Sequence, residues 1–177
     1  MIITMKKNQM LFKEWCVFNP SSMDKDINHK KIIDFYLWSC PSPETAYGAR
    51  TFRDLGWEKP HQYKMLKNKM IASSDISFVV TAIKDLSRAL DEHDQLKKHS
   101  FSETIILANP SNGEVDGVFR SIRNALAHGS FCIQKRRDDF YYFFESRNPQ
   151  TKNIKSRIVL KSNTLLAWIR EVEKGPK

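Results

Sequence analysis

The sequence predicts a mainly α-helical protein, a helical bundle with a small antiparallel β-meander inserted before the C-terminal helix. Three observations predict it. Apolar residues recur at three and four over 74–98 and again over 118–126. An aromatic-rich, partly alternating stretch over 130–160 breaks that rhythm. A last amphipathic run over 162–174 restores it. At 177 residues the expectation is one domain with a real core. Its expected parts are an N-terminal segment 1–60 without a placement, core helices over 74–128, the meander over 130–160 and a helix over 162–174.

In chain order, 10–18 suits either a strand or a helical turn, and Asn19-Pro20 ends it. The stretch 24–38 reads as a helix with Ile27, Ile32, Ile33, Phe35, Tyr36 and Leu37 on a broad apolar face and Lys30 and Lys31 outside it. Cys40-Pro41 breaks it, and Ser42-Pro43 suits the start of a short helix. Pro60 opens a basic helix through about 71, with Lys64, Lys67 and Lys69 able to contact phosphate but more commonly forming a solvated face. The longest expected helix covers 74–98: Ile76, Val79, Val80, Ile83, Leu86 and Leu90 supply its stripe, and Ser74 its cap. His93 and His99 are expected at the surface. The segment 100–113 reads as a connector with one helical turn at Ile105-Ile106-Leu107. Ser111 and Glu114 form a capping box, which starts the next helix near 112 and lets it run to His128. Strands are expected at 131–135, 140–144 and 157–160, their aromatics suited to stacking on bases but more often packed into the core. Ser162 or Asn163 caps the last helix, and Gly175-Pro176 stops it.

A net charge of +9 favours a polyanionic partner, because neutralising phosphates releases counterions. A hydrophobic content of 41% with 11 Phe argues against a disordered chain. No apolar run reaches membrane-span length, and 1–7 lacks the pattern of a signal peptide, so no membrane association and a cytoplasmic location are expected. Cys16, Cys40 and Cys132 are scattered, which suggests buried thiols rather than a zinc site or a disulfide framework. There is no phosphate-cradling glycine loop, nucleophile elbow or dinucleotide fingerprint, and no cofactor or metal is expected.

What remains is the helix over 117–129. Val118, Phe119, Ile122, Ala125 and Leu126 share one arc. Arg120, Arg123, Asn124, Ala127 and His128 fill the opposite arc, and Gly129 suits the left-handed residue that stops a helix. Arg followed by His five residues later also occurs at Arg88 and His93, so context separates the two. The second pair has Asn directly after Arg, small residues before His, and Gly-Ser-Phe after it.

In that context Arg123-Asn124-Ala125-Leu126-Ala127-His128-Gly129 resembles the Arg-(four to six residues)-His signature of the HEPN superfamily, where a polar residue, often Asn, follows the Arg. What comes after is similar to a small prokaryotic branch often carried on mobile elements, with a β-rich segment and one more helix. The specific likeness covers roughly 110–177. The resemblance implies a HEPN-like helical bundle, a homodimer with facing motif helices, and metal-independent endoribonuclease activity. Products would carry 2′,3′-cyclic phosphate and 5′-hydroxyl ends. The setting would be a toxin or an anti-phage growth-arrest factor, with RNA as substrate and a cognate inhibitor protein as a candidate partner. Members regulated through a Tyr shortly after the motif His differ from this chain, which has Gly129-Ser130-Phe131 there.

The residue chemistry is consistent with that. RNA brings its own nucleophile, the 2′-hydroxyl. An imidazole is suited to proton transfer, and a guanidinium to stabilising a pentavalent phosphorus. Arg123 and His128 are the expected catalytic pair. Asn124, which can orient His128 or donate to a phosphate oxygen, and Arg120, from its position one turn earlier on the same face, are the expected supporting, phosphate-binding residues. A single His in the motif of each chain is awkward for a reaction needing both base and acid, and a two-fold dimer supplies the second copy. The competing reading is a non-catalytic module of the same fold that binds nucleic acid, a nucleotide or another protein.

Overall fold

The computed structural model describes residues 27–41, 50–72, 75–97, 102–110, 113–136 and 138–176. Helix α1, Ile27–Ile33, runs into a wider π-helical turn at Asp34–Ser39. That winding buries the neighbours Phe35 and Tyr36 together. Helix α2 is Pro60–Ala72. Strand β1, Ile76–Thr81, is followed by a 3₁₀ turn at Ile83–Asp85 and helix α3, Leu86–Lys97. Strand β2 is Glu103–Ala108 and helix α4 is Glu114–Ala127. Strands β3, Phe131–Arg136, β4, Asp139–Arg147, and β5, Ile154–Lys161, lead to helix α5, Ser162–Lys174.

The strands form one five-stranded sheet in the order β1-β2-β5-β4-β3. β1 and β2 are parallel, joined through α3, and every other neighbouring pair is antiparallel. The fold is therefore α+β, which corrects the expected mainly α, HEPN-like bundle with a small meander. The meander exists as β3-β4-β5, but it is part of a larger mixed sheet. Two elements account for the difference. Ile76–Thr81 is a strand where a helix was expected, because its β-branched and aromatic residues outweigh a stripe that recurs equally well at helical spacing. Glu103–Ala108 is a strand where a connector was expected. Its residues are buried on both sides of the sheet, and such a strand reads as an unbroken apolar run.

Alternate residues of β2 divide the core. Ile105 and Leu107 join the main cluster with α4 and α5, while Ile106 packs with Leu86 and Leu90 of α3 on the opposite face. His93 on α3 is buried rather than at the surface as expected. Expectations at 10–18, Ser42-Pro43, Ser74, His99 and Ser111 lie outside the described residues.

The main cluster centres on Phe119 of α4, fully buried against the rings of Tyr36, Phe52 and Trp168 at centroid separations of 5.6, 5.3 and 6.4 Å. The polar tips of the large aromatics are satisfied by helix carbonyls. Trp57 Nε1 donates to Val172 O and Trp168 Nε1 to Met70 O, each at 3.1 Å. Tyr36 Oη donates to Leu165 O at 3.2 Å. These bonds tie the π-helical turn, Trp57 and α2 to α5, and leave none of the three ring donors buried without a partner.

α4 also approaches the exit of β2 closely at Gly117. A Cβ built there would stand 2.7 Å from Pro110 Cβ. Gly117→Ala would gain roughly 1 kcal/mol of helix propensity but force the helix off Pro110, an overpacking loss of about 1–3 kcal/mol. A net drop in the urea midpoint at unchanged m-value is the expected result. A more stable variant would contradict this packing.

Candidate functional site

α4 ends as its sequence dictates. Gly129 takes φ +63°, Ser130 N donates to Ala125 O at 2.8 Å and Gly129 N to Leu126 O at 3.2 Å. This is the Schellman arrangement, in which a left-handed glycine turns the chain back onto the last carbonyls. His128 is the C-cap, with its own N–H bonded to Asn124 O at 3.0 Å. Its side chain is exposed. At its start the N-cap is Gly113 with φ +91°, and among the described residues no side-chain hydrogen bond caps the helix; the expected cap Ser111 lies outside them.

The expected core arc is buried without exception: Val118, Phe119, Ile122, Ala125 and Leu126. The expected polar arc divides. Arg120 and Asn124 line a cavity, together with Asp116, Gly117 and Ser121 on the same stripe of the helix. Arg123 and His128 are not among the residues lining it. Arg123 is half-buried and close enough to Cys40, beyond the π-helical turn, for its charge to act on that thiol.

Burial pushes the Cys40 thiol far above its ordinary range. The Arg123 guanidinium pulls it partly back, and the Asp116 carboxylate pushes it up again. Because the folded value is raised, this contribution to stability is complete below the unfolded thiol's pKa and is lost as pH rises past it. Cys40 should accordingly resist iodoacetamide at pH 8 in the folded protein and react once the chain is unfolded in urea. Rapid labelling without denaturant would contradict its burial.

The cavity holds about 530 Å³. Across from α4 its wall comes from Ser146 and Ser156, which face each other as register partners on β4 and β5. The exit of β2, Asn109-Pro110, and Ile83 after β1 close another side. Inside, Arg120 Nη2 donates to Asp116 Oδ2 at 3.1 Å, and these side chains are 20% and 7% exposed.

The loop between β4 and β5 supplies the last wall. It is held by its own bonds: Asn148 Oδ1 accepts from Gln150 N at 2.9 Å and Thr151 N at 3.1 Å, and Asn148 N donates to Asn153 O at 2.8 Å. Lys152 takes φ +60° and closes the turn through its N–H to Asn148 O at 2.9 Å. An Asx turn of this kind is pre-formed, so the wall needs no ligand to order it.

Spacing on α4 pointed to Arg120 and Asn124, but nothing on the helix pointed to Ser146, Ser156, Asn148 or Asn153. The one available signal was Ser156, which shares strand parity with the core residues Ile158 and Leu160. A hydroxyl at an inward position asks for a partner.

Among the described residues, no group of three or more His, Cys, Asp and Glu side chains is placed to hold a metal ion. No helix among them is long and apolar enough to cross a membrane. No protein family, curated protein or solved structure matches the chain.

Proposed function

We propose that this protein is a metal-independent endoribonuclease that works as a homodimer in the cytoplasm, as a toxin or anti-phage growth-arrest factor. What supports the reading most directly is the exposure of His128 at the end of a helix whose opposite side is fixed in the core. The imidazole is thus presented on a rigid base and open to a large substrate. The likeness of the 123–129 motif to HEPN ribonucleases and the charge of +9 support it further.

In this reading the 2′-hydroxyl of RNA attacks the adjacent phosphorus while His128 of one copy takes its proton. The bond from phosphorus to O5′ breaks, and His128 of the other copy, protonated, gives a proton to the leaving oxygen. Arg123 stabilises charge on the phosphorane oxygens. Asn124 faces the cavity and acts on the bound strand, while Arg120, paired with Asp116, holds the cavity wall beside it. A cognate inhibitor protein is the partner that a resident toxin requires.

The test is incubation of the purified protein with RNA in EDTA, with product ends analysed. Cleavage leaving 2′,3′-cyclic phosphates, lost in Arg123→Ala, is expected, and expression of that variant should relieve host toxicity. Intact RNA after long incubation would remove the proposal.

A further inference from the structure

We propose that the cavity beside α4 is a nucleobase-binding site. Its position in the fold is the first argument. The cavity lies at the carboxyl ends of the parallel strands β1 and β2, bounded by Ile83 and by Asn109-Pro110. After β1 the chain passes to one face of the sheet as α3, and after β2 to the other face as α4. Strands whose connections diverge in this way leave a crevice between them, and ligands of open α/β sheets bind in such crevices.

The second argument is an unsatisfied group. Ser156 is 2% exposed and lines the cavity, and its Oγ has no hydrogen-bond partner among the described residues. Buried hydroxyls are ordinarily paired, so a partner from a ligand is the missing term.

The lining selects the ligand class. The volume of about 530 Å³ falls within the span of small-molecule sites. Of the charged side chains lining it among the described residues, Asp116 and Arg120 are bonded to each other and Lys155 is exposed at the rim. A bare phosphate or carboxylate drawn inside would meet a guanidinium already engaged by a carboxylate. A divalent cation would find one carboxylate, also engaged. A hydrocarbon would leave the Ser156 hydroxyl unmatched.

A nucleobase suits all of these features. Its flat faces can rest on Ile83, Leu107, Pro110 and Ile154. Its edge carries both donors and acceptors, and so do the Asn124 amide and the hydroxyls of Ser121, Ser146 and Ser156. Lys155 at the rim is placed to meet an attached phosphate. The proposal rests on the cavity and holds whether or not the protein cuts RNA. Two sources share this chemistry: a free nucleotide, or an unstacked base of an RNA strand.

Titration calorimetry on full-length protein carrying His128→Ala separates these cases, because RNA is then expected to stay intact. The probes are the four nucleoside monophosphates, ribose 5-phosphate, and a short single-stranded RNA with and without one abasic position. Saturable binding of at least one monophosphate marks a free-nucleotide site. Binding of the RNA alone, weakened by the abasic position, marks an unstacked base. In either case Ser121→Leu, which fills the cavity, and Asn124→Ala, which removes an edge contact, should each weaken binding about tenfold or more. The proposal is overturned if no probe binds, if ribose 5-phosphate binds as well as the nucleotides, or if both variants bind like the parent. Nucleotide binding by a wild-type protein that leaves RNA intact would sink the ribonuclease reading and leave this one standing.

Discussion

His128→Ala should lower RNA cleavage by about 10²–10⁴-fold while leaving the melting temperature close to that of the parent. The size follows from what the group would do. Without it neither the 2′-hydroxyl proton nor the leaving oxygen has a positioned partner, and water must serve for both. The absence of a fold effect follows from its place. The side chain is exposed, and the helix end is held by backbone bonds from Gly129 and Ser130 that Ala leaves intact. Cleavage kinetics in EDTA beside a thermal melt make the measurement. Retained cleavage would refute the assignment of His128, whatever the fate of the remaining site. Loss of cleavage together with loss of the fold would be equally damaging, since it would make this exposed position structural.

Glu145→Ala should destabilise the fold by about 3–5 kcal/mol, with little direct bearing on the cavity. Glu145 is fully buried on the sheet face opposite α4, and Arg157 on the neighbouring strand is 4% exposed. The Arg157 guanidinium donates to Glu145 Oε1 through Nε at 3.0 Å and Nη2 at 2.9 Å, and Arg147 pairs with Oε2. Removing the carboxylate takes from the desolvated Arg157 guanidinium the charge that accepts two of its N–H bonds, and the cost of that desolvation rather than the lost attraction dominates. A replacement of both Glu145 and Arg157 by apolar residues of similar volume should recover much of the loss. Urea unfolding of the single and double variants decides it. A Glu145→Ala midpoint equal to the parent's would show that the pair is not desolvated in solution.

The two halves of the protein differ in how far their structure could be read from sequence, and the reason is physical. α4 and α5 each face the core on one side only, so their apolar residues recur at helical spacing, and Gly129 and Gly175 mark their ends. β3, β4 and β5 carry an aromatic and alternating signature and were legible as a meander. β1 and β2 were not. Val79, Val80 and Ile83 fall at spacings that a helix shares, and Thr104 to Leu107 are buried on both faces, so no alternation survives to betray a strand. Missing those two strands turned an α+β protein into an apparent bundle. The site followed the same division. Arg120 and Asn124 could be taken from the helix pattern, whereas the opposing serines and asparagines reach the cavity only through the pairing of β4 with β5, which local sequence does not encode.

The turn at 128–130 carries one further consequence. Ser130 is bonded on one side to the end of α4, through its N–H to Ala125 O, and on the other to β4, whose Glu145 N–H donates to its carbonyl at 2.9 Å. Helix and sheet are thereby stitched at a single residue, with no slack for a hinge. A displacement of the imidazole at 128 beyond its own side-chain rotations therefore either breaks one of these two bonds or carries the helix end and the strand together.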